Sequence, residues 1–158
     1  MDFKEAKALN GVAKFHRTFG MPVVESPAIP PVERCKLRIA LLQEELDELK
    51  DALENNDIVE AADALADLQY VLSGAILELG LGEKFHDLFE EVQRSNMSKT
   101  CKTLEEVEAT QKYYLEHKST ESYVVEKETE FLVYRKEDGK VLKSIKYSPA
   151  DFEAVLAK

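Results

Sequence analysis

Apolar residues recur along the first two-thirds of the chain with the spacing of helices. Phe3, Ala6, Leu9, Ala13 and Phe15 form a weak helical stripe that predicts a helix from Phe3 to about Phe19, ended by Gly20. Four prolines follow, Pro22, Pro27, Pro30 and Pro31. Each lacks an N–H and restricts its predecessor, so this segment is expected to be extended and irregular. A stretch without Gly or Pro predicts a strong helix from Val32 to Glu54. Its main stripe is Ile39, Leu42, Leu46, Leu49 and Leu53. After Asn55-Asn56-Asp57, a second strong helix is expected from Ile58 to Leu79, stopped by Gly80 and Gly82. A third covers Glu83 to Arg94, with Phe85, Leu88, Phe89 and Val92 directed inward. Such short connections make these helices close, mostly antiparallel neighbours.

Beyond Asn96 the pattern changes. Thr103-Leu104-Glu105-Glu106 has capping-box spacing and predicts a helix from Leu104 to His117. Runs at Tyr123–Val125, Phe131–Tyr134 and Val141–Leu142 read as strands, with Asp138-Gly139 as the hairpin turn between the last two. Ser148-Pro149 is expected to cap a short final helix reaching about Leu156. The fold class is therefore mainly α: an antiparallel helix bundle over residues 1–100, with residues 101–158 as an appendage of the same domain carrying a small β-hairpin or meander. No internal repeat or low-complexity tract interrupts the chain.

Charge narrows the function. Acids outnumber bases 31 to 21, giving a net charge of −10 in 158 residues. A nucleic-acid binder needs a basic face, and an anionic membrane would repel this chain, so neither partner is expected. The N-terminal sequence lacks the apolar segment of a signal peptide, and no stretch is apolar enough to span a bilayer. The two isolated cysteines, Cys35 and Cys101, form no zinc motif and fit a reduced, cytoplasmic protein.

The informative acids lie on the two strong helices. At 100° per residue, Glu44, Glu45 and Glu48 share about a quarter of the helix circumference, beside the apolar stripe rather than opposite it. Arg38 lies close by. On the next helix, Ala61 to Leu77 is apolar almost all round, the mark of a buried helix, partly against another subunit. Asp63 and Asp67 interrupt it four residues apart on one face, with Glu60 before them and Tyr70 and Gly74 after. Carboxylates gathered this closely repel by roughly 4 kcal/mol per pair at about 4 Å and an effective dielectric near 20. A cation between them relieves this, and oxygen ligands without His or Cys suit Mg²⁺ or Mn²⁺.

The same residues carry a resemblance. Glu44-Glu45-Leu46-Asp47-Glu48 fits an E-E-x-x-E signature. The Asp63/Asp67 pair before Leu68-Gln69-Tyr70, followed by Glu78-Leu79-Gly80, fits a second. The run from Phe89 to Lys99 and the string Asp138-Gly139-Lys140-Val141-Leu142-Lys143 are also shared. The chain resembles the all-α nucleoside triphosphate pyrophosphohydrolase superfamily of MazG, the dimeric dUTPases and phosphoribosyl-ATP pyrophosphohydrolase. The likeness covers about Phe15 to Lys99 and Asp138 to Asp151, with Cys101 to Arg135 as an insertion. The second signature is usually E-x-x-D, which Glu60 and Asp63 match literally; the following Leu-x-Tyr context favours Asp63 and Asp67, with Glu60 in reserve.

The resemblance implies hydrolysis of a nucleoside triphosphate to monophosphate and pyrophosphate, for nucleotide house-cleaning. It assigns Glu45, Glu48, Asp63 and Asp67 to metal, and Glu44 to the attacking water or to metal support. Arg94, Lys99, Lys140 and Lys143 are candidate phosphate contacts, and Asn96 a contact to base or phosphate. His16 and Phe19, in Phe-His-Arg-Thr-Phe-Gly, are candidate stacking residues for the nucleobase. A homodimer or homotetramer is expected. The competing readings are the histidine-synthesis enzyme proper and a non-catalytic acidic interaction protein. The latter does not account for aspartates in an apolar helix. A di-iron bundle needs Glu-x-x-His pairs, which His16, His86 and His117 do not supply.

Overall fold

The computed structural model describes residues 2–158. Among them are six helices and two strands: α1 (Ala8–Thr18), α2 (Val32–Glu54), α3 (Ile58–Glu78), α4 (Phe85–Met97), α5 (Leu104–Lys118), β1 (Ser122–Glu126), β2 (Phe131–Arg135) and α6 (Phe152–Leu156). The chain divides into two compact units, Met1–Phe85 and His86–Lys158. Among the described residues, no helix is long and apolar enough to cross a membrane.

The first unit is built on α2 and α3, an antiparallel pair, with α1 laid against α3. Pro31 precedes α2, where its fixed φ suits the approach to a helix and no N–H is needed. Asn56 makes the turn with φ +54°, a conformation asparagine tolerates better than most residues. The Asp57 carboxylate then accepts from the N–H groups of Val59 and Glu60, satisfying two otherwise free donors of α3. Val12, Ala13 and Leu77 make a small core with Leu9 and Val23 packed on it. α1 is shorter than its stripe suggested, since Lys7 at its start offers no capping group.

The proline-rich segment is extended and tied down. Val24 N donates to Leu77 O at 3.0 Å, and Ala28 N to Leu79 O at 3.0 Å. These bonds occupy carbonyls at the C-terminal end of α3, which no intrahelical donor can reach. Gly80 turns the chain with φ +68°, and a Cβ there would strike the Ser26 carbonyl. Glycine is needed at that position for both reasons.

α3 is less enclosed than its composition suggested. Ser73 to Glu78 is buried, but Leu65, Tyr70 and Leu72 are exposed. Within the first unit, α2 and α1 are the helices that pack on it. In α4, Phe89 and Val92 are likewise exposed rather than inward, and Ser95 is the buried residue of that helix.

In the second unit, Cys101, Val107, Val133 and Leu142 form the core, flanked by Tyr114 and Phe131. The hairpin joins β1 to β2, with Val124 opposite Val133. The expected Asp138-Gly139 turn is present, with Gly139 at φ +70°. It closes only one bridge, Tyr134 to Val141, because the chain turns away after Leu142 to bond elsewhere: Ser144 N donates to Lys99 O. Thr103 caps α5 as predicted, while Glu106 reaches back to the Lys102 N–H. The final helix is capped by Asp151, not by Ser148-Pro149: its carboxylate accepts from Ala154 N at 3.0 Å.

Candidate active site

The carboxylates predicted from the sequence gather on the facing sides of α2 and α3. Glu45 is their centre. Its carboxyl lies above the usual carboxylate range, first because burial strips its water, then because of the negative charges of Glu48, Asp67, Glu44 and Asp63. The charges of the other four acids assigned to the site therefore all reach Glu45 within the first unit. Glu60 instead lines an acidic groove of about 480 Å³ at the α2–α3 turn with Glu48, Asp51 and Asp57.

Glu45 Oε2 is buried and has no hydrogen-bond partner. An ionised oxygen in that state costs several kcal/mol unless something positive meets it. Among the described residues, no three carboxylate, imidazole or thiolate groups are drawn together closely enough to hold an ion as they stand. The acids form an open face rather than a closed cage. Orphaned oxygen, like charges around it and an all-oxygen donor set fit a hard divalent cation such as Mg²⁺ or Mn²⁺, which Glu45, Glu48, Asp63 and Asp67 would be the residues to hold.

Two helical turns away lies a cluster that the sequence reading missed. Glu78 is almost wholly buried and takes both arginines of α2. Arg34 Nη2 pairs with its Oε1, Arg34 Nε donates to Oε2 at 3.1 Å, and Arg38 Nη2 donates to Oε1 at 2.5 Å. Burial by itself raises the Glu78 carboxyl, but the hydrogen bonds and charges of Arg38 and Arg34 outweigh it and hold it below the usual range. Arg38 Nη2 also donates to His16 Nε2 at 3.2 Å, and His16 Nδ1 donates to Pro22 O at 2.7 Å. Those partners fix the imidazole as its Nδ1–H tautomer. Gly74 makes room: a Cβ there would lie 2.6 Å from Arg38 Nη1.

This cluster sets the register of the site. From Arg38 to Glu45 is two turns along one face of α2, and from Gly74 back to Asp67 is two turns along one face of α3. In an antiparallel pair, the contact that seats Arg38 against Gly74 therefore brings Glu45 level with Asp67. One signal could have exposed it: Glu78 closes a run, Val71 to Leu77, that is otherwise uncharged and mostly apolar, and such a carboxylate requires a cation.

His16, a candidate for the nucleobase, is 2% exposed with both ring nitrogens engaged. Phe19 is exposed and packs on Phe15, with centroids 4.5 Å apart; Phe15 meets the edge of Tyr70 at 5.8 Å. Tyr70 follows Asp67 by one turn. One member of this aromatic shelf, Tyr70, thus stands on α3 with Asp63 and Asp67, while Phe15 and Phe19 come from α1 and its C-terminal end.

The remaining candidates belong to the second unit. Arg94 forks onto Glu91 with two 2.7 Å bonds and also donates to Ser148 Oγ and Pro149 O. Lys99 Nζ donates to Asn96 Oδ1 at 2.7 Å. Lys143 Nζ sits over the Tyr147 ring, 4.2 Å from its centroid. The Lys140 N–H donates to Asp138 Oδ1, and its side chain is exposed.

A sequence model of phosphoribosyl-ATP pyrophosphohydrolase matches residues 12–96, just over half of the chain. The chain belongs to that family. The family lies within the MazG-like all-α nucleoside triphosphate pyrophosphohydrolase superfamily. The matched stretch takes in α1 from Val12 onward, all of α2 and α3, every carboxylate of the site and the Arg34–Arg38–Glu78 cluster, and it stops before the insertion. An uncharacterised protein of Acanthamoeba polyphaga mimivirus is similar too, 30% identical over 105 residues. That alignment takes in 61% of this chain, and the chain spans 40% of the relative's length.

Proposed function

We propose that the protein is a Mg²⁺-dependent nucleoside triphosphate pyrophosphohydrolase, converting a ribo- or deoxyribonucleoside triphosphate and water to the monophosphate and pyrophosphate. The observation that carries the reading is the buried, unpartnered Glu45 oxygen amid four other carboxylates on facing helices. Membership of a pyrophosphohydrolase family supports it independently. Glu45, Glu48, Asp63 and Asp67 hold the metal. When bound, the ion neutralises phosphate charge and lowers the pKa of a coordinated water. Glu44, exposed at the rim of the cluster, is positioned to accept the proton of the attacking water. The nucleobase rests on the Phe15–Phe19–Tyr70 shelf, which offers free ring surface where His16 offers none.

A second copy of the chain completes the fold in this reading. Ile39, Leu46 and Leu53 on α2 and Ile58, Leu65 and Leu72 on α3 each repeat at seven residues and are 40–80% exposed. Two heptad-spaced stripes on adjacent antiparallel helices are what a helical partner buries.

The test is product analysis with a panel of ribo-, deoxy- and modified nucleoside triphosphates, and phosphoribosyl-ATP, with Mg²⁺. Monophosphate and pyrophosphate from a nucleoside triphosphate are expected, with activity lost in folded Glu48→Ala and Asp67→Ala variants. Turnover of phosphoribosyl-ATP alone would replace this reading with the histidine-synthesis enzyme. No turnover and no Mg²⁺ or Mn²⁺ binding would leave the acidic interaction protein.

A further inference from the structure

The second unit carries a groove of about 410 Å³, lined by Tyr113, Tyr114, Lys143, Ser144, Ile145 and Tyr147. No carboxylate lines it, although the chain has ten more acids than bases. The charges of both Lys143 and Lys99 reach the Tyr147 phenol, which lies below its ordinary range, first through its hydrogen bond with Ser95. Its rings are fixed in place. Tyr113 stacks on His117 with centroids 4.8 Å apart and meets Tyr114 edge-on at 5.5 Å. The Tyr114 hydroxyl accepts from Lys143 N at 3.2 Å, and Tyr147 Oη accepts from Ser95 Oγ at 3.2 Å.

Aromatic faces beside the Lys143 ammonium suit one kind of ligand: a flat ring carrying an anion. Rings stack on bases of any sequence, and lysines meet phosphate as point charges. The cavity is within the range of small-ligand sites, with room for one nucleotide rather than several. Preset rings also lower the ordering cost of binding. We infer that this groove is a binding site for a nucleoside monophosphate, with the base against Tyr113 and the phosphate on Lys143. In binding, Lys143 exchanges its contact with the Tyr147 ring for the phosphate. The inference does not depend on the carboxylates or on any metal.

The full chain is titrated with adenosine 5′-monophosphate and thymidine 5′-monophosphate in EDTA, by calorimetry and by saturation-transfer NMR. The same titration is run on a Glu48→Ala/Asp67→Ala chain, on Tyr113→Leu and on Lys143→Met, each checked for folding by circular dichroism. The Tyr113 ring is half exposed and its hydroxyl makes no hydrogen bond among the described residues, so its substitution leaves the core intact. The expected result is equal affinity in the wild type and the carboxylate variant, and at least a tenfold loss in Tyr113→Leu and in Lys143→Met. Loss in the carboxylate variant, no loss in the groove variants, or no binding at all would overturn the inference. A ten-nucleotide single strand binding tenfold or more tightly than the monophosphates would also overturn it, by assigning the groove to a polynucleotide.

Discussion

Glu45 and Glu78 stand on the same pair of helices and have opposite fates. Glu78 is buried against two guanidiniums, and Glu45 against four other acids. Without metal, Glu45→Gln removes the central charge and is expected to stabilise the protein by about 1 kcal/mol, seen as a rise in Tm of roughly 2–4 °C at this size. It should also weaken Mg²⁺ binding severely by calorimetry. The Glu45 carboxyl is raised in the fold above its ordinary 4.5, so its ionisation destabilises the native state as pH rises from 4.5 through the folded value. Stabilisation by Mg²⁺ should therefore be larger at pH 8 than at pH 5. Glu78 has the opposite sign. Its carboxyl is lowered, so its contribution is complete above 4.5 and is lost as pH falls through the lower folded value. Glu78→Gln, which leaves buried Arg38 without its anion, is expected to cost about 3 kcal/mol in urea unfolding at pH 7. The variant should lose that part of the wild type's acid sensitivity.

At the scale of elements, the register of α2 against α3 decides whether the acids meet. Gly74→Ala puts a methyl group against Arg38 and is expected to cost 1–3 kcal/mol. It should also lower Mn²⁺ affinity, which a change of equal cost in the α1 core, such as Val12→Ala, should leave unaltered; equal affinities would detach the arginine cluster from the site. Asp57→Ala, removing the α3 cap, should cost about 1 kcal/mol. Much of this was legible in the sequence. Thr103 marks a helix start by its capping-box spacing, Asn55-Asn56-Asp57 marks the break before α3, and the bounds of α2 follow its run without Gly or Pro. The acids were legible because their spacing places them on one face of each helix. The Arg34–Arg38–Glu78 cluster was not, because its partners are 40 and 44 residues apart and no periodicity links them. Which of the two strand pairings is the longer was not legible, for a related reason. Asp138-Gly139 is the stronger turn signal, but β1 and β2 have five residues each to pair, and Val141 adds one bridge.

For the whole molecule, the exposed heptad stripes are the feature one chain cannot satisfy. Leu46→Asp with Leu65→Asp is expected to yield a monomer by light scattering where the wild type is a dimer or larger; a wild-type monomer would remove the reason for the stripes. The excess acid is also unevenly placed. Residues 1–85 carry 16 acids and 9 bases, whereas residues 86–158 carry 15 and 12. Metal binding would thus relieve the more strained unit. The segment between α1 and α2 bears on how such a protein can change over generations. Loops ordinarily absorb insertions and deletions freely. This one has its amides committed to the end of α3 at two points four residues apart, and the backbone of Ser26 lies against Gly80 between them. A single added or lost residue between Val24 and Ala28 would put those points out of step. The least regular stretch of the first unit should therefore be among the least variable in length across its descendants.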